Sequence, residues 1–290
     1  MDLNELIRSL SSGDKNVRRA AWNRAATVMD NEIIEYVMSV KDEFIELLCS
    51  DDYDVRRYAW DDVETLIVRG IITKEDLKNV KGKFIELLGS DVHVVRRYSW
   101  VRLLQFIIDR GIITRDDSTE FIKLLHSDKE DVCSRAWDSV GTLIDKGIIT
   151  EDVVKDLKDK FIELLRSDDE YVRRDAWNRV DTLIDGGIIT KDDVKDLKDK
   201  FIELLRSDDE YVRRDAWNRV DTLIDDGIIT KDDVKEVKGK FIEVLRSDNE
   251  DIRGNAWDRV YMLIDKGIIT ENDVAGAGLH KPQRRSIRIQ

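Results

Sequence analysis

The chain has 290 residues, of which 41% are hydrophobic and 38% are charged, and its formal net charge at pH 7 is −13. A charged fraction this far above the globular norm of about 25% suits an elongated protein better than a compact globule. The acidic balance makes nucleic acid an unfavoured partner, because nucleic-acid binding depends on clustered Lys and Arg.

The N-terminal segment, from Met1 to Glu5, lacks the basic and apolar regions of a signal peptide. No later stretch reaches the roughly 20 apolar residues that span a bilayer. The two cysteines, Cys49 and Cys133, are too few for a disulfide framework. We therefore expect a cytoplasmic protein with no membrane partner. Its abundance of Lys, Glu and Asp is compatible with a thermophilic source.

A repeat of about 40 residues organises the chain, and fixed periods of this length are typical of helical solenoids. Each copy contains one tryptophan, and these are Trp22, Trp60, Trp100, Trp137, Trp177, Trp217 and Trp257. Residues 161–200 and 201–240 differ at only four positions, which indicates internal duplication or deliberate construction. We predict an all-α fold, a right-handed α-solenoid of seven helix pairs over residues 1–274, with boundaries near residues 34, 73, 114, 150, 190, 230 and 270.

One unit, from Thr190 to Gly227, illustrates how each helix pair is encoded. Thr190 is a natural N-cap for the first helix, with Asp193 at the capping-box position. Ser207 is predicted to cap the second helix, which ends at Gly227, a residue that tolerates a left-handed backbone. The Gly-Ile-Ile-Thr connector recurs at 70–73, 111–114, 147–150, 187–190, 227–230 and 267–270.

The segment from Asp168 to Ala176, with the pattern Asp-x-x-x-Val-Arg-Arg-x-Ala, resembles the second-helix signature of HEAT and related armadillo-type repeats. The resemblance covers about residues 2–274, although a tryptophan in every copy is not part of the usual pattern. It implies a HEAT-like α-solenoid that acts as a non-enzymatic protein-binding scaffold. Because the family binds many unrelated partners, the resemblance does not identify the partner of this chain.

Two other functions remain as alternatives. The first is a structural or designed repeat array without a dedicated partner. The second, by analogy of fold alone, is a nucleic-acid-binding HEAT-like DNA glycosylase. The second is less expected, because Asp175, Asp181 and Asp185 on the outward surface would repel phosphate.

Adjacent arginines in the second helix are predicted to have different roles. At about 100° per residue, Arg173 falls within the apolar arc and Arg174 falls outside it. A charge within an apolar arc needs a partner, and the turn residues Asp168 and Asp208 are the predicted ones. The inner series, a predicted structural ladder between neighbouring repeats, is Arg18, Arg56, Arg96, Arg173, Arg213 and Arg253.

The tryptophans lie beside a small residue at the edge of the same apolar arc. This position predicts packing between neighbouring repeats, with an exposed row of aromatic contacts as the alternative.

The outward face of the second helix changes character along the chain. In repeats five and six it is a mixed polar surface, whereas in repeats two and three it carries Val, Tyr and Leu next to arginine. That composition is typical of a binding hot spot. The predicted partner-binding strip is Arg57, Tyr58, Val94, Arg97, Tyr98, Val101 and Leu104.

Packing is a second explanation for this strip. The segment 100–114 is one residue longer than its counterpart 177–190, so the helix of repeat three is bulged or rotated. The first helix of repeat four is also four residues short. Val101 and Leu104 would then cover the gap left by the shortened neighbour.

The chain offers little catalytic or metal-binding chemistry. Its three histidines are His93, His126 and His280, and no His/Cys pair has ligand spacing. There is no phosphate loop and no GxSxG nucleophile motif. We therefore expect no enzymatic activity, no cofactor and no metal.

The C-terminal residues 275–290 share nothing with the repeat and are basic, so we expect a disordered tail. If the array has lost its terminal cap, the incomplete last repeat exposes an apolar face and can self-associate.

Overall fold

The computed structural model describes residues 3–27 and 31–276, and every regular element among them is helical. The predicted tail, apart from residues 275 and 276, lies outside the described residues. The chain forms two compact units that meet in sequence between Thr150 and Glu151. No described helix is both long enough and apolar enough to cross a membrane.

The first unit contains short helices joined by tight turns. They are α1 Leu3–Leu10, α2 Lys15–Thr27, α3 Asn31–Ser39, α4 Lys41–Leu48, α5 Tyr53–Val68, α6 Lys74–Lys78, α7 Lys81–Leu88, α8 His93–Tyr98, α9 Leu104–Asp109, α10 Ser118–Leu125, α11 Glu130–Asp138 and α12 Val140–Asp145. A π-helical turn, Ser99–Leu103, joins α8 to α9, and a 3₁₀ turn, Arg115–Asp117, precedes α10.

The second unit repeats one pattern with little variation. Its helices are α13 Glu151–Asp156, α14 Lys158–Leu165, α15 Glu170–Trp177, α16 Val180–Asp185, α17 Lys191–Lys195, α18 Lys198–Leu205, α19 Glu210–Trp217, α20 Val220–Asp225, α21 Lys231–Lys235, α22 Lys238–Leu245, α23 Glu250–Asp265 and α24 Glu271–Gly276. Both units are therefore arrays of repeated helices, consistent with the resemblance to HEAT and armadillo-type repeats.

Most helices of the expected pairs are interrupted once. The first helix of the sixth repeat breaks at Leu197, where ψ is 5° and the amide donates to the Val194 carbonyl in a tighter turn. The second helix of the fifth repeat breaks at Arg179, whose amide likewise bonds the Ala176 carbonyl. By contrast, α5 is continuous over 16 residues.

The connectors fold as the sequence predicts. Gly227 has φ of +69°, and the Ile228 amide donates to the Leu223 carbonyl at 2.9 Å, which closes the helix in a Schellman arrangement. Both isoleucines of each connector are buried beneath the turn. The capping box of Thr230 and Asp233 then starts the next helix.

The cap of the second helix differs from the prediction. Asp209, not Ser207, is the N-cap, because its carboxylate accepts hydrogen bonds from the amides of Tyr211 and Val212. Ser207 instead donates its hydroxyl to Glu170, one repeat earlier, at 2.7 Å. The serine therefore helps to join neighbouring repeats.

The tryptophans lie in the core, which confirms the packing prediction and rules out an exposed aromatic row. Trp177 is only 1% exposed. Its indole N–H donates to the Leu165 carbonyl at 3.3 Å, and its ring centroid lies 5.2 Å from that of Phe201 in the next repeat. The tryptophan of one repeat thus packs on the phenylalanine of the following one.

Four of the inner arginines are buried and reach acids of the following repeat, namely Arg18, Arg56, Arg96 and Arg173. Arg56 contacts Glu86 at 3.1 Å, and Arg173 contacts Glu203 at 3.6 Å. The prediction that Arg173 pairs with a turn aspartate was wrong. The Arg173 side chain extends along the core to the first helix of the following repeat. Its guanidinium also donates to the Ser167 carbonyl, which holds the turn of its own repeat.

Replacing Arg173 with alanine is expected to lower the free energy of unfolding by about 1–3 kcal/mol, since the buried Ser167 carbonyl loses its donor. Glu203→Gln should cost less than about 1 kcal/mol, because half-exposed ion pairs contribute little. Urea unfolding of both variants checks the contrast. Equal losses would show that the ion pair, not the carbonyl contact, is the stabilising interaction.

A second ladder, which was not predicted from the sequence, connects the capping boxes. A lysine that starts the segment after the break in one first helix contacts the capping aspartate of the next repeat, as Lys198 does with Asp233 at 2.9 Å. Hydrogen bonds from Thr230 and Lys198 lower the pKa of Asp233. The other pairs are Lys41–Asp76, Lys81–Asp117, Lys158–Asp193 and Lys238–Asp273.

Candidate functional site

The predicted partner-binding strip lies on the second helices of repeats two and three, within the first unit. These are α5 and the run from α8 through the π turn to α9, and α5 packs against both α8 and the π turn. The π turn accommodates the one extra residue of repeat three without disturbing the following connector, so the predicted bulge is confirmed.

The π turn also explains why the exposure predicted for Leu104 was wrong. An inserted residue rotates everything after it by about 100° around the helix axis. Leu104 therefore turns into the core, where it is 2% exposed. Packing is the correct explanation for Leu104. It is not the explanation for Val101, which is 61% exposed and covers no gap.

The remaining apolar members of the strip face solvent. Val94 is 65% exposed and Tyr58 is 40% exposed. Arg97 is exposed and Tyr98 is half-buried. An exposed apolar surface bordered by a cation is thus present at repeats two and three, as the sequence predicts.

Arg57 was expected on the surface and is instead buried. Its guanidinium carbon lies 3.9 Å from the ring centroid of Tyr58 and 5.0 Å from that of Tyr98, so the two tyrosines cover it. Arg19 lies 4.6 Å from the Tyr58 ring, and Arg102 lies 6.0 Å from the Tyr98 ring. The result is an alternating stack of arginines and tyrosines across three repeats, held by cation–π attraction.

Two acids beneath this stack were not predicted as site residues. The Tyr98 hydroxyl is hydrogen-bonded to Asp61, and burial together with this bond raises the pKa of Tyr98 to about 12. Burial raises the pKa of the neighbouring Asp62 to about 6, and Asn23 donates a hydrogen bond to its carboxylate at 3.0 Å. A comparison between repeats could have found these acids, because repeat five has Asn178 and Arg179 at the same positions.

A groove of about 330 Å³ runs along the exposed side of the repeat-three helix. It is lined by His93, Val94, Arg97, Tyr98, Val101 and Arg102. Four of these residues belong to the predicted strip. We refer to this feature, defined by these six residues, as the repeat-three groove.

The equivalent face of repeats five and six is satisfied internally. Arg174 contacts Asp175 at 2.7 Å and Asp215 at 3.8 Å. The Tyr171 hydroxyl donates to Asp209 at 2.7 Å. The polar residues of these repeats therefore bind each other, whereas the valines and Arg97 of repeat three remain available.

A second depression, of about 610 Å³, lies on the first-helix side of the same unit. Two glycines and several charged residues line it, and those charges are already engaged. Glu120 contacts Lys123 at 2.7 Å, and Glu86 contacts Arg56 at 3.1 Å. In the described part of the chain, no group of three His, Cys, Asp or Glu side chains is placed to hold a metal ion.

No protein-family model and no curated protein sequence matches the chain. Among solved structures, an engineered protein aligns with 93% of this chain and 83% of its own, at 16% identity and a TM-score of 0.37. A designed armadillo repeat protein aligns with 74% of this chain and 97% of its own, at 16% identity and a TM-score of 0.33. At these values neither likeness bears on function.

Proposed function

We propose that the protein is a non-enzymatic scaffold that binds a protein partner through the second-helix surface of repeats two and three. The observation that carries the proposal is the pair Val94 and Val101, two valines more than 60% exposed on one side of a single helix. Single exposed apolar side chains are common on soluble proteins, whereas neighbouring ones that form a patch mark interaction sites. Arg57 supports this surface from below, and Leu104 is not part of it.

The size of the groove favours a segment of protein as the ligand. A volume of about 330 Å³ is at the lower end for small-molecule sites and accommodates one or two side chains. Anchoring side chains of this kind dominate the energetics of protein interfaces. The net charge of −13 disfavours a long polyanion such as nucleic acid.

The proposal predicts that Val94→Asp combined with Val101→Asp abolishes binding of peptides selected from a displayed random library on the wild-type protein. Two desolvated carboxylates in an apolar contact should weaken affinity at least about 100-fold. Fluorescence anisotropy with the selected peptides measures the change, and circular dichroism checks the fold.

Val68→Asp is the matched control, because Val68 is 69% exposed in the same unit and lies outside the groove. It should bind the selected peptides like wild type. Peptides that bind the double variant undiminished would contradict the proposed surface. A library that yields no binder at all would favour a structural array without a dedicated partner.

A further inference from the structure

The repeat-three helix carries an excess of positive charge that its counterparts in the second unit lack. From His93 to Asp109 there are three arginines, and the one acid is the last residue. From Glu170 to Asp185, the matching stretch of repeat five, three arginines accompany four acids. In a protein whose net charge is −13, cationic character among the second helices is confined to those of repeats one and three, and of the two, that of repeat three also presents exposed valines within a groove.

The three arginines are not equivalent. Arg96 is 2% exposed and is engaged by the Ser90 carbonyl and by Asp131. Arg97 is exposed and makes no ion pair with any residue in the described ranges. Arg102 is also exposed, beside the Tyr98 ring. Two cations of the groove are thus open to an incoming anion.

Apolar and cationic side chains alternate along the repeat-three groove. Val94, Arg97 and Val101 are separated by three and four residues, which places them along one side of the helix. The two valines therefore flank a cation, and Arg102 extends the cationic edge. A ligand complementary to this order carries aliphatic side chains next to carboxylates.

The nearby acid, Asp61, interacts electrostatically with Arg102 but makes no ion pair with Arg97. Asp61 is 3.9 Å from Arg57 and is hydrogen-bonded to Tyr98, so its carboxylate is turned into the stack. The same contacts fix the Tyr98 ring as a wall of the groove. A wall that is already ordered reduces the conformational entropy lost on binding.

We infer that the repeat-three groove binds an acidic linear peptide, with aliphatic side chains on Val94 and Val101 and carboxylates on Arg97 and Arg102. This inference rests on the proposed function and adds the chemistry of the partner. Oppositely charged groups across an interface chiefly select the partner and accelerate its association.

The test uses three fluorescent twelve-residue peptides with the same leucine content, in which the other positions are glutamate, glutamine or lysine. Anisotropy gives Kd at two salt concentrations. We expect the glutamate peptide to bind about tenfold more tightly than the glutamine peptide at low salt, with a smaller difference at high salt. The lysine peptide should be the weakest.

Arg97→Glu is expected to remove the preference for the glutamate peptide while leaving the glutamine peptide unaffected. Arg69→Glu is the charge-matched control, because Arg69 is exposed at the end of α5 and does not line the groove. It should keep the preference of the wild-type protein.

Each outcome separates the inference from the proposed function. Equal binding of the glutamate and glutamine peptides, lost in the Val94/Val101 double variant, would overturn the acidic ligand but retain the docking surface. Tighter binding of single-stranded DNA than of the glutamate peptide, dependent on Arg97, would replace the peptide by a polyanion. Self-association abolished by Val101→Asp would replace it by a second copy of the chain.

Discussion

Replacing Trp177 with alanine should lower the free energy of unfolding by about 3–5 kcal/mol, the range for truncating a buried tryptophan. The side chain is 1% exposed and packs on Phe201 of the next repeat. Truncation leaves a cavity between two repeats and removes the donor to the Leu165 carbonyl. Urea denaturation followed by circular dichroism measures the loss.

Tyr171→Ala provides the control, because this aromatic residue of the same helix is 48% exposed. Its loss removes a surface hydrogen bond to Asp209 and should cost less than about 1 kcal/mol. A cost below 1 kcal/mol for Trp177→Ala as well would show that the tryptophans do not hold the repeats together.

Asp62→Asn should stabilise the protein at neutral pH by about 2–3 kcal/mol, which makes it the largest expected gain. Burial raises the pKa of Asp62 from 3.8 to about 6, and each unit of pKa difference corresponds to about 1.4 kcal/mol. The folded state therefore favours the protonated carboxyl. Asparagine supplies a neutral group of the same shape that keeps the contact with Asn23.

The raised pKa of Asp62 determines how the stability gained by Asp62→Asn depends on pH. The unfolded chain releases the proton of Asp62 near pH 3.8, and the folded chain releases it near pH 6. The stability contributed by the protonated acid is complete below pH 3.8 and is lost as the pH rises to 6. The benefit of Asp62→Asn should therefore be absent at pH 3.5 and constant above about pH 7.

Glu64→Gln, at an exposed position of the same helix, is the control and should change stability by less than about 0.5 kcal/mol. The measurement is urea unfolding of both variants between pH 3.5 and pH 8. A gain for Asp62→Asn that does not vary over this range would contradict the raised pKa.

Local sequence rules predicted the repeated elements well. The connectors, the Thr230 and Asp233 capping box and the left-handed Gly227 depend on neighbouring residues in the chain, so a single repeat specifies them. The burial of the tryptophans followed from their place on the helical arc. The extra residue of repeat three likewise predicted its distortion.

Contacts that depend on neighbouring repeats were not predicted. The partner of Arg173 is Glu203, 30 residues away, and no local pattern distinguishes it from the nearer turn aspartates. Arg57 is buried because Tyr98, one repeat later, completes the stack. The error at Leu104 arose from a helical wheel with constant rotation, which a π turn invalidates.

The candidate surface results from the same distortion. The π turn moves Leu104 into the core while Val101, within the turn, stays on the surface beside Arg102. In repeats five and six the corresponding faces are polar and internally paired. Repeat three therefore differs from repeats five and six at the surface where we place the partner.

Methyl NMR of the valines tests the proposed docking surface most directly. The spectrum of the protein is recorded while the glutamate–leucine peptide, or any peptide selected on the wild-type protein, is added. We predict that the methyl resonances of Val94 and Val101 shift with a common Kd and that those of Val68 do not. Shifts confined to valines of the second unit, with Val94 and Val101 unchanged, would contradict the proposed surface.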